Sequence, residues 1–271
     1  MTKNIKYQLS LLAFLLVFWS CEKSERWDLA SLGEPLIVIE AILTNEEIVQ
    51  EIHVSQSYAG LNSELPPVEN AVVFVEANGV VYPFATDVTT PGLYRSQQPF
   101  AVVNNLSYKL TVDWEGNTYE AESVLSAVAP MPTISFIPFN NTDSLKLANF
   151  ISPFDTDQQA LYEFEVDWSH LTTVAPTQAK LFLYTFDEVN ITQFILPRRE
   201  AVGFPRGSLV HVTKYGLNDD FADYLRAVAI ETDWNSSFFY GNPENPLTNL
   251  SNGALGFFST CAVLRETVVA E

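Results

Sequence analysis

Three histidines are the first residues to test for chemistry, and they stand apart in the chain: His53, His170 and His211. None has a second ligand at the H-x-H or H-E-x-x-H spacing that lets one strand or helix present two groups to a metal ion. His53 lies between Ile52 and Val54, and His211 between Val210 and Val212. Strand alternation therefore turns each imidazole to the face opposite its neighbours, a structural or surface position. Carboxylates are plentiful, with 33 Asp plus Glu. Asp155-Thr156-Asp157 offers two oxygen ligands for Ca²⁺ but lacks the further acids and the glycine of an EF-hand loop. Asp219, Asp220 and Asp223 gather where a helix is expected to start, and capping plus the helix dipole accounts for them. A glycosidase needs two carboxyls roughly 5 to 9.5 Å apart, and the sequence singles out no such pair. There is no G-x-S-x-G elbow and no glycine-rich phosphate loop. This reading yields no catalytic residue, no metal site and no cofactor.

The two cysteines, Cys21 and Cys261, have different surroundings. Lys3 and Lys6 precede an almost wholly apolar run from Leu9 to Trp19, and small Ser20 precedes Cys21. That order is a secretory signal of the bacterial lipoprotein type over residues 1–20, with Cys21 as the acylated first residue of the mature chain. The alternative, an uncleaved membrane anchor, runs short: a spanning helix needs about 20 apolar residues. Phe18 stands where leucine is usual and Trp19 is bulky, a looseness that resembles lipoproteins of the Bacteroidetes type. Residues 21–34 read as a polar tether. With Cys21 committed to lipid, Cys261 has no disulfide partner. Its setting, GFFSTCAVL, is that of a buried, inert thiol.

Composition bounds the rest. Lys plus Arg total 14, giving a formal charge of −19, and a surface that negative repels nucleic-acid phosphates. Hydrophobic residues make up 47% of the 271, enough for a sizeable core, and aromatics reach 13%, which favours strands. Residues 35–128 read as an immunoglobulin-like or transthyretin-like β-sandwich of six or seven short strands. LIVIEAIL (36–43) and IVQEIHVSQS (48–57) open it. NAVVFVEANGVVYPFAT (70–86) is a hairpin about Asn78-Gly79, and Tyr108, Leu110, Val112 and Trp114 share one face of a strand that turns at Glu115-Gly116-Asn117. Ala129-Pro130-Met131-Pro132 breaks the pattern and marks a boundary. Residues 133–271 read as a second β-rich domain, with strands at 160–168, 180–187 and 208–215. One amphipathic helix is expected near 218–231, capped by Asn218, and an apolar terminal strand in GALGFFSTCAVL is expected to insert into the second sheet. Between them, Trp234, Phe238, Phe239 and Tyr240 crowd a segment whose polar middle suggests a loop. Consecutive loop aromatics cannot all face one core, so these four are the candidate ligand or partner contacts.

Two resemblances attach to these residues. Gly92-Leu93-Tyr94 followed by Tyr108-Lys109-Leu110-Thr111-Val112 resembles the carboxypeptidase-regulatory type of sandwich, a likeness of fold alone. The order of the whole chain resembles the Bacteroidetes lipoprotein family called domain of unknown function 4249. The features are the Cys21 lipobox and tether, LIVIEAIL with Thr44-Asn45, the NAVVFVEANG to YEAE sandwich, ALYEFEVDW, LNDDFADYLRAV, and the ending NPLTNLSNGALGFFST. That resemblance implies an outer-membrane location by a lipid at Cys21, and a TonB-dependent receptor as a possible partner. It carries no catalytic residues. The expectation is a non-enzymatic, lipid-anchored accessory protein acting as a binding or interaction module. The alternatives are a surface adhesion or structural lipoprotein, and a surface-polymer hydrolase using a carboxylate pair. Periplasmic and cell-surface display both stay open.

Overall fold

A computed structural model of the chain describes residues 35–57, 65–140, 143–148, 152, 154–155, 157–187, 201–232 and 247–271. The fold is mainly β. Seven strands come first: β1 (Ile37–Thr44), β2 (Glu51–Gln56), β3 (Val72–Ala77), β4 (Val80–Thr86), β5 (Leu93–Ser96), β6 (Ser107–Trp114) and β7 (Asn117–Val124). Then follow β8 (Phe136–Pro138), β9 (Ser144–Leu147), β10 (Gln159–Asp167), β11 (Gln178–Thr185), β12 (Phe204–Pro205) and β13 (Leu209–Leu217). Helix α1 (Asp219–Thr232), β14 (Leu255–Cys261) and β15 (Val263–Val269) complete the order. They form an eight-stranded sheet, β14-β1-β2-β5-β4-β3-β6-β7, a four-stranded sheet, β11-β10-β13-β15, and a three-stranded sheet, β12-β9-β8.

Local chemistry sets the first sheet. Asn78 and Gly79 both take positive φ (49° and 76°), the twisted two-residue turn that matches the twist of paired strands, and Glu115-Gly116 repeats it at 48° and 81°. Alternating residues point inward: Ile37, Ile39, Ala41 and Leu43 from β1, Val73 and Val75 from β3, Tyr108, Leu110 and Val112 from β6. The two tyrosines that carry the sandwich resemblance are buried and spend their hydroxyls on backbone. Tyr94 donates to the Val68 carbonyl (2.9 Å) and accepts from the Ala71 amide (3.0 Å). Tyr108 accepts from the Val103 amide at 2.9 Å. Desolvation pushes both phenols above their usual range. Gln50, 1% exposed, organises the β1–β2 connection from within. Its Oε1 accepts from the Thr44 amide (3.0 Å), and its Nε2 donates to the carbonyls of Thr44, Glu46 and Phe100 at 3.1, 3.1 and 2.8 Å.

The sheet curls until its two outer strands meet. Ser126 bridges Cys261 in parallel, and the Thr260 amide donates to Ser123 Oγ at 3.0 Å. Here the terminal strand departs from the sequence-based expectation. Residues 255–261 join the first sheet, parallel to β1 from Val38↔Leu255 to Thr44↔Cys261, and only 263–269 enter the second sheet, against β13. The reason is two-sided burial. Phe258 faces the sandwich core while Phe257 and Cys261 face a separate cluster with Phe221, Ala222 and Leu217. A strand covered on both faces reads as a continuous apolar run and carries no alternation to show which sheet it joins. Helix α1 supplies that outer cover. The Asn218 side chain caps it, Oδ1 accepting from the Phe221 amide at 2.9 Å.

In the second sheet, Ala160, Tyr162, Phe164 and Val166 of one β10 face, with Trp168 just beyond the strand, fill a core with Val210, Val212 and Phe204. Leu161, on the opposite face, belongs to the cluster under α1. That split explains why the apolar residues of ALYEFEVDW are out of phase.

Two substitutions test this packing. Gly256 has φ +92°, and a Cβ there would lie 2.1 Å from the Ile39 carbonyl oxygen, whereas Gly79, at φ +76°, has nothing within 4 Å. Gly256→Ala should cost about 3 kcal/mol or more, and Gly79→Ala about 1 kcal/mol, in urea unfolding. Equal costs would refute the close β1–β14 approach. Gln50→Leu, nearly the same shape, should lose about 2 to 4 kcal/mol with an unchanged denaturant slope, because it removes four hydrogen bonds to the backbone, those to the Thr44 amide and the Phe100 carbonyl among them.

Candidate functional site

The residues singled out from the sequence fall in two groups. Cys21, Trp234, Phe238, Phe239 and Tyr240 lie outside the described residues. The others are placed. His53 and His211 are exposed between buried neighbours, as strand alternation requires. His170 holds the Gly207 carbonyl through Nε2 at 3.1 Å. Of the other aromatic residues, Trp168 and Tyr119 are buried, and Trp114 is half-buried against the sandwich core. Cys261 is fully buried, and burial pushes its thiol up to about 12, so the thiolate is suppressed. The Asp155 carboxylate accepts from the Asp157 amide at 2.9 Å, a local turn. Among the described residues no three His, Cys, Asp or Glu gather closely enough to hold a metal ion.

The structure brings together a set that no sequence motif announces. On the exposed face of the four-stranded sheet the register aligns Lys180 of β11 with Glu165 of β10, Glu165 with His211 of β13, and His211 with Thr267 of β15. One step along, Phe182, Glu163, Thr213 and Arg265 form a second row. These rows are hydrogen-bonded rather than loose. Lys180 Nζ pairs with Glu163 and, at 3.0 Å, with Glu165. Tyr215 donates to Glu163 at 3.3 Å, and His211 Nδ1 lies 2.9 Å from Thr267 Oγ1. Arg265 grips both oxygens of Glu46 at 2.8 and 2.9 Å and donates to Thr213 Oγ1 at 2.9 Å. Bidentate geometry of this kind fixes orientation as well as charge. Phe182 is 46% exposed beside them, with the Lys180 ammonium 5.5 Å from its ring centre. An open depression of about 500 Å³ is lined by Glu165, Asp167, Gln178, Lys180 and His211.

The electrostatics of this face hold charges in place. The bonds to Glu163 and Glu165 raise the Lys180 pKa, and that to Glu46 raises Arg265. Burial first, then the negative Glu163, pushes Tyr215 up to about 12. The Ser169 amide lowers Asp167. Each of these shifts moves a proton equilibrium away from neutrality, whereas acid–base catalysis draws one toward it. The arrangement is suited to recognition through fixed charges, directed hydrogen bonds and one exposed ring.

A second groove of about 310 Å³ runs beside the start of α1, with Glu122, Asp219 and Asp220 among its lining. Asp219 accepts from Gln159 Nε2 at 2.9 Å, and the two aspartates sit in the first helical turn, where the dipole favours them.

The signal for the polar face was present in part. Glu163, Glu165 and Asp167 alternate along one strand, and Lys180 and Phe182 along the next. What sequence spacing could not supply is the pairing register that brings them side by side.

Comparison with known proteins adds one finding. No curated protein matches the chain. Residues 25–267, by contrast, match a family over nearly the whole length, the body and its terminal strands included, and this protein accordingly belongs to the domain of unknown function (DUF4249) family.

Proposed function

We propose that this protein is a lipid-anchored accessory protein of the bacterial outer membrane. In this reading it is a non-enzymatic binding or interaction module that works with a TonB-dependent receptor. The observation that carries the reading is the N-terminal order: two lysines, a short apolar run, Cys21, and a polar tether leading to a strand-built body. Thioether-linked acyl chains on Cys21 hold the chain at a bilayer, each buried methylene contributing about 0.8 kcal/mol. Among the described residues no helix is long and apolar enough to cross a membrane. The body supports the binding half of the reading through the paired charges of Glu163, Lys180, Arg265 and Glu46 on a hydrogen-bonded sheet. Rigid elements position recognition groups more closely than loops do. The receptor partner follows from the family resemblance, and the exposed charges are of the kind that set partner choice and encounter rate.

Metabolic labelling with an alkyne fatty acid tests the anchor. The wild-type protein should carry the label and the Cys21→Ser variant should not; an unlabelled wild type refutes lipid attachment. Purification from native membranes in mild detergent tests the partner. A TonB-dependent receptor should accompany the wild type, and Lys180→Glu, which reverses the charge between Glu163 and Glu165, should cut its recovery by about threefold or more. Wild-type protein recovered without any receptor rejects the partner assignment.

A further inference from the structure

Lys214 occupies an unusual place for a lysine. It lies in β13 on the side turned away from the polar face, and it is fully buried. Among the described residues no carboxylate pairs with its ammonium. Nζ donates instead to the carbonyl oxygens of Ala129 (2.9 Å) and Pro130 (3.1 Å) and to Oε1 of Gln158 (2.9 Å). The ring of Tyr162 lies below, its centre 5.3 Å from Nζ. An ammonium has three hydrogens to donate, and here all three find an oxygen. Burial lowers the lysine pKa, and Asp155 is the nearby charge that opposes the shift. A buried cation is retained only where such acceptors replace its water.

Two of the three oxygens belong to the main chain that joins β7 to β8. That stretch contains Pro130 and Pro132, which lack backbone donors, so an ordinary ladder cannot hold it to a sheet. A side chain does so instead. Close packing continues on either side of the lysine contact. Gly216 lies two residues on from Lys214, and a Cβ there would fall 2.9 Å from Val128 Cβ. Val128 packs on the sandwich core and Met131 on the second core. Ser126 bridges Cys261 at the near end.

We propose that residues 126–132 form a strap and that Lys214 is its latch, holding the strap on β13 and so coupling the eight-stranded sheet to the four-stranded one. The strap is held at two consecutive carbonyls, those of Ala129 and Pro130, by one side-chain donor, Lys214 Nζ. It is therefore the element that opens first when that donor is removed, ahead of either core.

Native-state proteolysis of the full chain by subtilisin, with cut sites read by mass spectrometry, tests the latch. Lys214→Met keeps the length of the stem and removes the donors. Cleavage within 126–132 should rise by about tenfold or more relative to wild type, while cleavage within β3 and β6 stays at its wild-type rate. A strap cut no faster than in wild type overturns the proposal, and so does a rise of equal size across both sheets. If Lys214→Met does not fold, Gln158→Ala removes one acceptor and leaves the lysine. About threefold faster cutting within 126–132 then supports the latch, and an unchanged rate refutes it.

Discussion

The pairing of β1 with β14 is the constraint from which much of the structure follows. It is parallel, it joins residues more than 200 positions apart, and it closes the sheet that the first hundred residues begin. Parallel neighbours cannot be joined by a tight turn, so everything between β1 and β14 is in effect the crossover. The strand is covered on both sides, by the sandwich core at Phe258 and by the α1 cluster at Phe257 and Cys261. Such a strand tolerates little substitution: the Ile39 backbone fills the space a side chain at Gly256 would need. Long-range pairing of this kind rewards the chain late, after the loop-closure entropy has been met.

Because β14 runs straight into β15 through Ala262, the two larger sheets share one continuous run of chain. The β1–β2 connection locks onto the same place. Asn45 Oδ1 accepts from the Val263 amide at 2.7 Å, and Glu46 is held bidentately by Arg265. From below, Gln50 holds the Thr44 and Glu46 carbonyls. A short segment near the start of the described body thus contacts both sheets, and a disturbance in it would be felt by the polar face through Arg265 and Thr213.

Much of the first sheet was legible in the amino-acid order because its rules are local. Asn-Gly and Glu-Gly turns dictate hairpins, and the strands beside them alternate with one face in the core. The helix was legible for the same reason: Asn218 caps it and an apolar stripe follows. Legibility ends where burial becomes two-sided or pairing becomes distant. Phe257 and Phe258 are both buried, toward different cores, and nothing in GFFSTCAVL distinguishes them. Leu161 looked out of step in β10 because it serves a cluster its neighbours do not touch. The polar face was hidden by the same limit: its rows draw residues from four strands between 163 and 267. Lys214 was hidden differently, since a lysine in an alternating strand reads as a solvent-facing residue, and only the neighbouring strap makes its burial tolerable.

The charges of the polar face are held in place by their neighbours. Lys180 and Arg265 have pKa values raised by their carboxylate partners, and Asp167 is lowered by hydrogen bonds. Groups shifted in these directions keep their charge from mildly acidic to mildly alkaline conditions, so these three charges are constant across that range. His211 also lines the depression. It stands between Glu165 and Thr267 in the middle of the row. Under the binding role proposed above, a face with fixed charges around one central imidazole would discriminate among partners by geometry first.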